Sequence, residues 1–156
     1  MSFGTDVDIS LIADAVSYAT SKGVLMIAAS GNDGPYPDSI DYPAAYKQVI
    51  AVGALNRGLS VTDWSSRGGN STSTPFVVED KDIELAAPGE NIESTWKNGG
   101  YAILSGTSMA SPFITGLAAK FWKSGASDPA SATREYLHTL ARDLLPIGDD
   151  NNSGLG

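Results

Sequence analysis

Cysteine is absent from the 156 residues, histidine occurs once, and only 10 Lys and Arg stand against 18 Asp and Glu. Each scarcity removes a class of function. Without cysteine there is no disulfide framework, no CxxC redox pair and no cysteine-ligated zinc site. A net charge of −8, a pI near 4.4 and the lack of a basic cluster make the electrostatic attraction that drives nucleic-acid binding repulsive here. No apolar run approaches the ~18 residues that a membrane helix needs. Residues 1 to 20 carry no basic start followed by an apolar block. The sequence reads as one soluble globular domain, or a piece of one, with no nucleic-acid or membrane partner. At this length roughly two-thirds of the unfolded surface can be buried, so a core is within reach without disulfides or structural metal.

Glycine (17) and proline (8) are plentiful by contrast, and they punctuate a regular pattern. Ile9, Ile12, Val16 and Ala19 recur at helical spacing, with Asp8 at the start and Gly23 just past the end, which predicts an amphipathic helix over 8–22. The run 24–29 and the run 49–54 are continuously apolar and of strand length, as in strands buried on both faces. Residues 83–86, 91–95 and 101–104 are shorter strand candidates, the last two joined by the hairpin turn Asn98-Gly99-Gly100. Apolar positions 110, 113, 114, 117, 118 and 121 predict a helix over 107–123, with Gly116 expected to let it pack closely on a sheet, and a further helix is expected over 128–140. The mixed stretch 65–82 reads as a long surface loop, and the polar tail 148–156 as frayed. Neither repeats nor a domain boundary interrupt 1–156.

One segment could carry chemistry. Ser105-Gly106-Thr107-Ser108-Met109-Ala110-Ser111-Pro112 places a hydroxyl at a helix start just after a glycine turn. Free backbone N–H groups and the positive end of the helix dipole there suit an oxygen nucleophile whose attack creates an oxyanion. Local physics alone equally allows an ordinary cap, because Ser111-Pro112 is itself a good cap and first-position pair.

The ordered series Ala28-Ala29-Ser30-Gly31-Asn32-Asp33-Gly34, Tyr42-Pro43-Ala44, Ile50-Ala51-Val52-Gly53-Ala54, Ser65-Ser66-Arg67-Gly68, Ala87-Pro88-Gly89 and Gly106-Thr107-Ser108-Met109-Ala110-Ser111-Pro112 resembles the subtilisin-like serine proteases over nearly the whole chain. The resemblance implies a three-layer α/β/α fold with a parallel sheet, Ser108 as nucleophile, and Asn32 with the Ser108 backbone N–H as oxyanion donors. It also implies a substrate groove built from Ser2, Phe3, Gly4, Ala29, Ser30 and Gly31, with Asp41 at the base of the pocket for the residue before the scissile bond and Asp33 on its rim. Phe113 stands where the family usually has a structural histidine.

The general base and its orienting acid are not in the pattern. In the resembled family both precede the oxyanion asparagine, and only 31 residues precede Asn32 here. His138, on the face shared with Arg134 and Arg142, is expected at the surface. The chain therefore reads as the C-terminal part of a subtilisin-like peptidase domain, whose partners would be a peptide substrate and an N-terminal half carrying Asp and His. Taken by itself it is expected to be nearly inactive and prone to self-association. The alternative is a noncatalytic module that binds peptides or complements another chain. The resemblance further implies a secreted parent and no required cofactor, with a weak calcium or sodium ion at the carbonyls of Ala44, Tyr46 and Val49. Asp149, Asn151 and Ser153 followed by Gly154 imitate the opening of a calcium loop, without that motif's closing acidic residue downstream.

Overall fold

The two apolar runs become neighbouring strands. In the computed structural model, which describes residues 1–70, 76–144 and 147–156, β1 (Met26–Ala29) pairs in parallel with β2 (Val49–Leu55), and β2 with β3 (Leu85–Pro88). Every residue of β2 is buried, as a central parallel strand covered on both faces requires. Alternation of side chains then divides the core in two. Ile27, Ile50, Val52, Ala54 and Leu85 meet Ala110, Ile114 and Ala118 of α2 (Thr107–Lys120) and Leu137 of α3 (Pro129–Leu140). Met26, Ala28, Val49, Ala51 and Ile83 meet Val16 of α1 (Ser10–Ser21) on the opposite side. Helices on both faces of a parallel sheet give the expected α/β/α layering. The hairpin of β4 (Ile92–Thr95) and β5 (Tyr101–Leu104) turns through Asn98 and Gly99, both at positive φ, and leads directly into α2.

Four expectations are corrected. His138 is not a surface residue: its ring is 20% exposed, its Nε2 lies 2.6 Å from Glu84 Oε1, and it stands edge-on to Phe76. The helical face that looked polar is the face that meets a buried carboxylate. Nor is the stretch 65–82 simply a surface loop, because Ser65, Ser66, Arg67 and Asp82 are buried, while 71–75 lies outside the described residues. The tail is not frayed. Leu155 N–H donates to Glu84 O at 3.1 Å and Ala86 N–H to Gly156 O at 3.0 Å, so the tail runs beside β3. Gly154, at φ +65°, is required there, since a Cβ would fall 2.3 Å from Ile83 O. Gly116, finally, faces open space and makes no close approach to the sheet.

Glu84 is the polar centre of this packing. Its side chain is 2% exposed, and Arg134 Nε donates to Oε1 at 2.7 Å while Arg134 Nη2 donates to Oε2. Burial alone would raise the carboxyl's pKa, but the hydrogen bonds from Arg134 and His138 outweigh it and hold the pKa below 4.5. A carboxylate depressed in the folded state contributes stability above its unfolded pKa and loses it as pH falls through the folded value. Glu84→Gln should therefore cost about 3 kcal/mol near neutral pH by stranding Arg134. The variant should also lose part of the acid-unfolding transition below pH 4.5, measured by denaturant melts across pH.

Candidate active site

The carboxyl end of β1 and the amino end of α2 are tied together by one side chain. Thr107, first residue of α2 and 1% exposed, donates its backbone N–H to Asn32 Oδ1 at 3.0 Å, and its hydroxyl lies 3.2 Å from that same oxygen. The hydroxyl also lies 3.2 Å from both Gly31 O and Gly31 N. With its oxygen held this way, the Asn32 amide keeps its NH2 group uncommitted: none of the hydrogen bonds among the described residues uses it.

Ser108 follows at the second helical position, where the backbone N–H has no intrahelical acceptor. The capping alternative for Ser111-Pro112 is excluded, because α2 begins before them and Pro112 lies within it. That proline has a consequence for the site. Lacking an N–H, it cannot donate to the Ser108 carbonyl four residues earlier, and the Ser2 hydroxyl donates to that carbonyl instead, at 2.9 Å. Ser108 Oγ itself has only a long contact, 3.4 Å, to Ser2 O. The nucleophile candidate is thus half-buried and weakly bonded.

Ser2 lies beside this point, and Met1 fastens the segment to β1 by accepting from Ala29 N–H at 3.0 Å. Ala29, Ser30 and Gly31 are buried at the end of β1, where Ser30 N–H is bonded to Val52 O and Gly31 O accepts from Ser66 N–H. Gly31, at φ +108°, admits no side chain: a Cβ would lie 2.7 Å from Ser66 Oγ and 2.9 Å from Asp41 Oδ2. Asp41 therefore abuts Gly31 directly. It helps to line a cleft of about 600 Å³ together with Gly4, Asp6, Asp33 and Asp38. Burial, then the charges of Asp33 and Asp6, raise the Asp41 carboxyl above its ordinary value, the mark of negative charge lacking a counter-charge. Asp38 is neutralised differently, by Lys81 Nζ at 2.8 Å.

No base reaches Ser108 from within the described residues, since the sole histidine is engaged by Glu84. At the turn suggested for a weak cation, Tyr46 O accepts from Val49 N–H and Asp80 from Lys47 N–H, both at 2.8 Å. No chemical step is routed through a cation there.

A profile of the Subtilase family matches residues 1–156. The chain belongs to the subtilase family. Subtilisin from Bacillus sp. (strain TA39) is 46% identical over 168 aligned positions, covering 100% of this chain and 40% of that protein. The Major intracellular serine protease of Bacillus subtilis (strain 168) is 35% identical over 94% of this chain and 44% of its own length. The solved S41 psychrophilic protease superposes with a TM-score of 0.93 at 46% identity, covering 100% of this chain and 54% of that one. This subtilase chain has the α/β subtilisin fold and spans about half the length, or less, of these relatives.

Thr107→Val keeps the shape of the side chain and removes only the hydroxyl. It should cost about 1–3 kcal/mol by leaving buried groups of Gly31 unpaired, read as a lower denaturation midpoint.

Proposed function

We propose that these residues are the nucleophile-bearing part of a serine endopeptidase that cleaves peptide bonds through an acyl intermediate on Ser108. Ser108 Oγ attacks the scissile carbonyl carbon and its proton passes to a base supplied by polypeptide beyond the 156 residues. The carbonyl oxygen becomes an oxyanion that accepts hydrogen bonds from the Ser108 N–H and from Asn32 Nδ2. Collapse expels the amine with the transferred proton, and water then releases the acyl group from Ser108. The observation that supports this reading most is the fixed orientation of the Asn32 amide, because an ordinary turn asparagine has no need to keep its NH2 free. Phe3 and Gly4, whose backbone groups make no hydrogen bond among the described residues, are suited to pair with an extended peptide.

The missing base favours a docking partner. Beside β1 and α1 an apolar hollow of about 650 Å³ is lined by Met1, Phe3, Leu11, Ile12, Val16 and Met26, and Leu11 is 76% exposed. An N-terminal half carrying the acid and base would cover this face; self-association is what an uncovered face invites. The second reading, a noncatalytic peptide-binding or chain-complementing module, draws on the commitment of the only histidine to Glu84.

A fluorophosphonate probe separates the two. The 156-residue chain alone should not be labelled, whereas the full-length protein should be labelled stoichiometrically at Ser108. Absence of labelling in full-length protein would leave the noncatalytic reading standing. Asn32→Ala in the active protein should lower turnover by about 10²- to 10³-fold, a size taken over from loss of the same donor in subtilisin itself.

Asp41 carries the specificity claim within this reading. An uncompensated, partly buried carboxylate favours a Lys or Arg side chain before the scissile bond and penalises an apolar one. A charge-assisted hydrogen bond of about 1.5–3 kcal/mol corresponds to a preference of roughly 10- to 100-fold. Asp41→Asn should abolish most of it, judged by kcat/KM on peptides that differ only in Arg or Leu at that position. Asp33, exposed on the rim, should matter less.

A further inference from the structure

The hairpin that leads into α2 is bare at its tip. Every residue from 93 to 101 is exposed, Tyr101 at 71%. Four cross-strand pairs, from Ile92 with Leu104 to Thr95 with Tyr101, hold β4 to β5. A two-stranded hairpin is marginally stable by itself in water, so an unpacked tip opens at small cost. The turn bonds are uneven: Trp96 N–H donates to Gly100 O at 2.7 Å, whereas Gly100 N–H reaches Lys97 O only at 3.5 Å.

Asn98 sits at this tip with φ +62° and ψ +27°, followed by Gly99 at φ +74°. Asparagine tolerates the left-handed region and glycine adopts it freely, which is why the pair suits the turn. The same pair is chemically labile. Rotation about the Cα–C and Cα–Cβ bonds of Asn98 brings the Gly99 nitrogen onto the side-chain amide carbon, and glycine places no Cβ in the way. A Cβ built on Gly99 would meet no atom within 4 Å, so the approach is open to water as well. The Asn98 amide takes part in no hydrogen bond among the described residues. Other asparagines lack this combination, since Asn98 alone precedes a glycine. Asn56 Oδ1 is held by two backbone N–H groups at 2.8 and 3.1 Å. Asn91, the other asparagine at positive φ, precedes the branched Ile92.

We propose that Asn98 is a deamidation site that converts the hairpin tip into aspartyl and isoaspartyl forms. The Gly99 nitrogen gives its proton to base and attacks Cγ of Asn98. The new N–Cγ bond closes a succinimide ring as Cγ–Nδ2 breaks, and Nδ2 leaves as ammonia with a proton from water. Water then opens the ring on either side. Breaking N–Cγ leaves an aspartyl residue; breaking the bond from the main-chain carbonyl carbon to N leaves an isoaspartyl residue, whose main chain runs through Cβ and Cγ. Either product adds a negative charge, and the isoaspartyl form lengthens a turn whose length fixes the register of β4 on β5. The disturbance is bounded at the base of the hairpin, where Asn91 N–H donates to Ser105 Oγ at 2.9 Å and Gly106 N–H to Gly89 O at 2.8 Å. None of this depends on the protease reading.

The test incubates full-length Ser108→Ala protein, so that no self-cleavage competes, in mildly alkaline buffer beside a urea-unfolded sample of the same protein. Peptide mapping by mass spectrometry should show the amide of residue 98 exchanged for an acid, no more than about tenfold slower than in the unfolded sample. An isoaspartyl methyltransferase should then methylate the aged protein, and this signal should be lost in Asn98→Gln, whose longer side chain closes a ring far more slowly. Amides 92–104 should exchange hydrogen faster after aging. An intact Asn98 in the folded sample once the unfolded one has converted overturns the site, because the turn then protects the amide. So does equal methylation of the aged protein with and without Asn98→Gln, and unchanged exchange at 92–104 overturns the effect on register.

Discussion

Three parallel strands buried on both faces leave polar chemistry one place to assemble, at their carboxyl ends. Everything at the Ser108 site follows from that constraint. β2 has no exposed residue, so its neighbours β1 and β3 must deliver their polar groups where the strands stop. Asn32 comes three residues after the end of β1, and Gly89, just past β3, accepts the Gly106 N–H at 2.8 Å. The amino end of α2 is thereby held over the sheet edge from two sides, with Thr107 bonding to Gly31 and Asn32 and Gly106 bonding to Gly89. A helix start positioned by two strands is a rigid platform, and rigidity is what makes a free N–H useful to a developing charge.

Much of this was legible in the sequence because the signals were local. The runs 24–29 and 49–54 could be read as strands from continuous hydrophobicity alone, although β1 begins only at Met26, where its pairing with Val49 starts. The series of short motifs ending in Gly106-Thr107-Ser108 pointed to the family, and the helix start at Ser108 needed only the glycine before it. What escaped was every feature that depends on a distant partner. His138 looked superficial because its own helix carries Arg134 and Arg142 beside it, and nothing in that helix reveals that Glu84, 54 positions earlier, lies buried against it. The tail looked frayed for the same reason: its polar composition conceals that Asp150 satisfies two backbone N–H groups of its own loop and that Leu155 N–H reaches Glu84 O. Thr107 was legible only as part of a motif. Its role in setting the Asn32 amide appears once residues 75 apart are brought together.

Glu84 and Ser108 divide the chain's polar resources between them in a way that bears on how an enzyme built from it must assemble. The only histidine, which in another setting could serve as a base, is used to satisfy a carboxylate that is 2% exposed. Freeing it would remove one of the three hydrogen bonds that hold that carboxylate and leave Arg134 alone to pair it. In the proposed enzyme the base must therefore arrive on polypeptide that packs elsewhere, and the large uncovered apolar face is the one beside Met1 and α1. That face adjoins Ser2 and Phe3, and Ser2 bonds to the Ser108 carbonyl. Covering the apolar face and completing the nucleophile's surroundings are then the same event. Folding of the whole domain and acquisition of activity would rise together, because the contact that removes hydrophobic surface from water also brings the proton acceptor to Ser108.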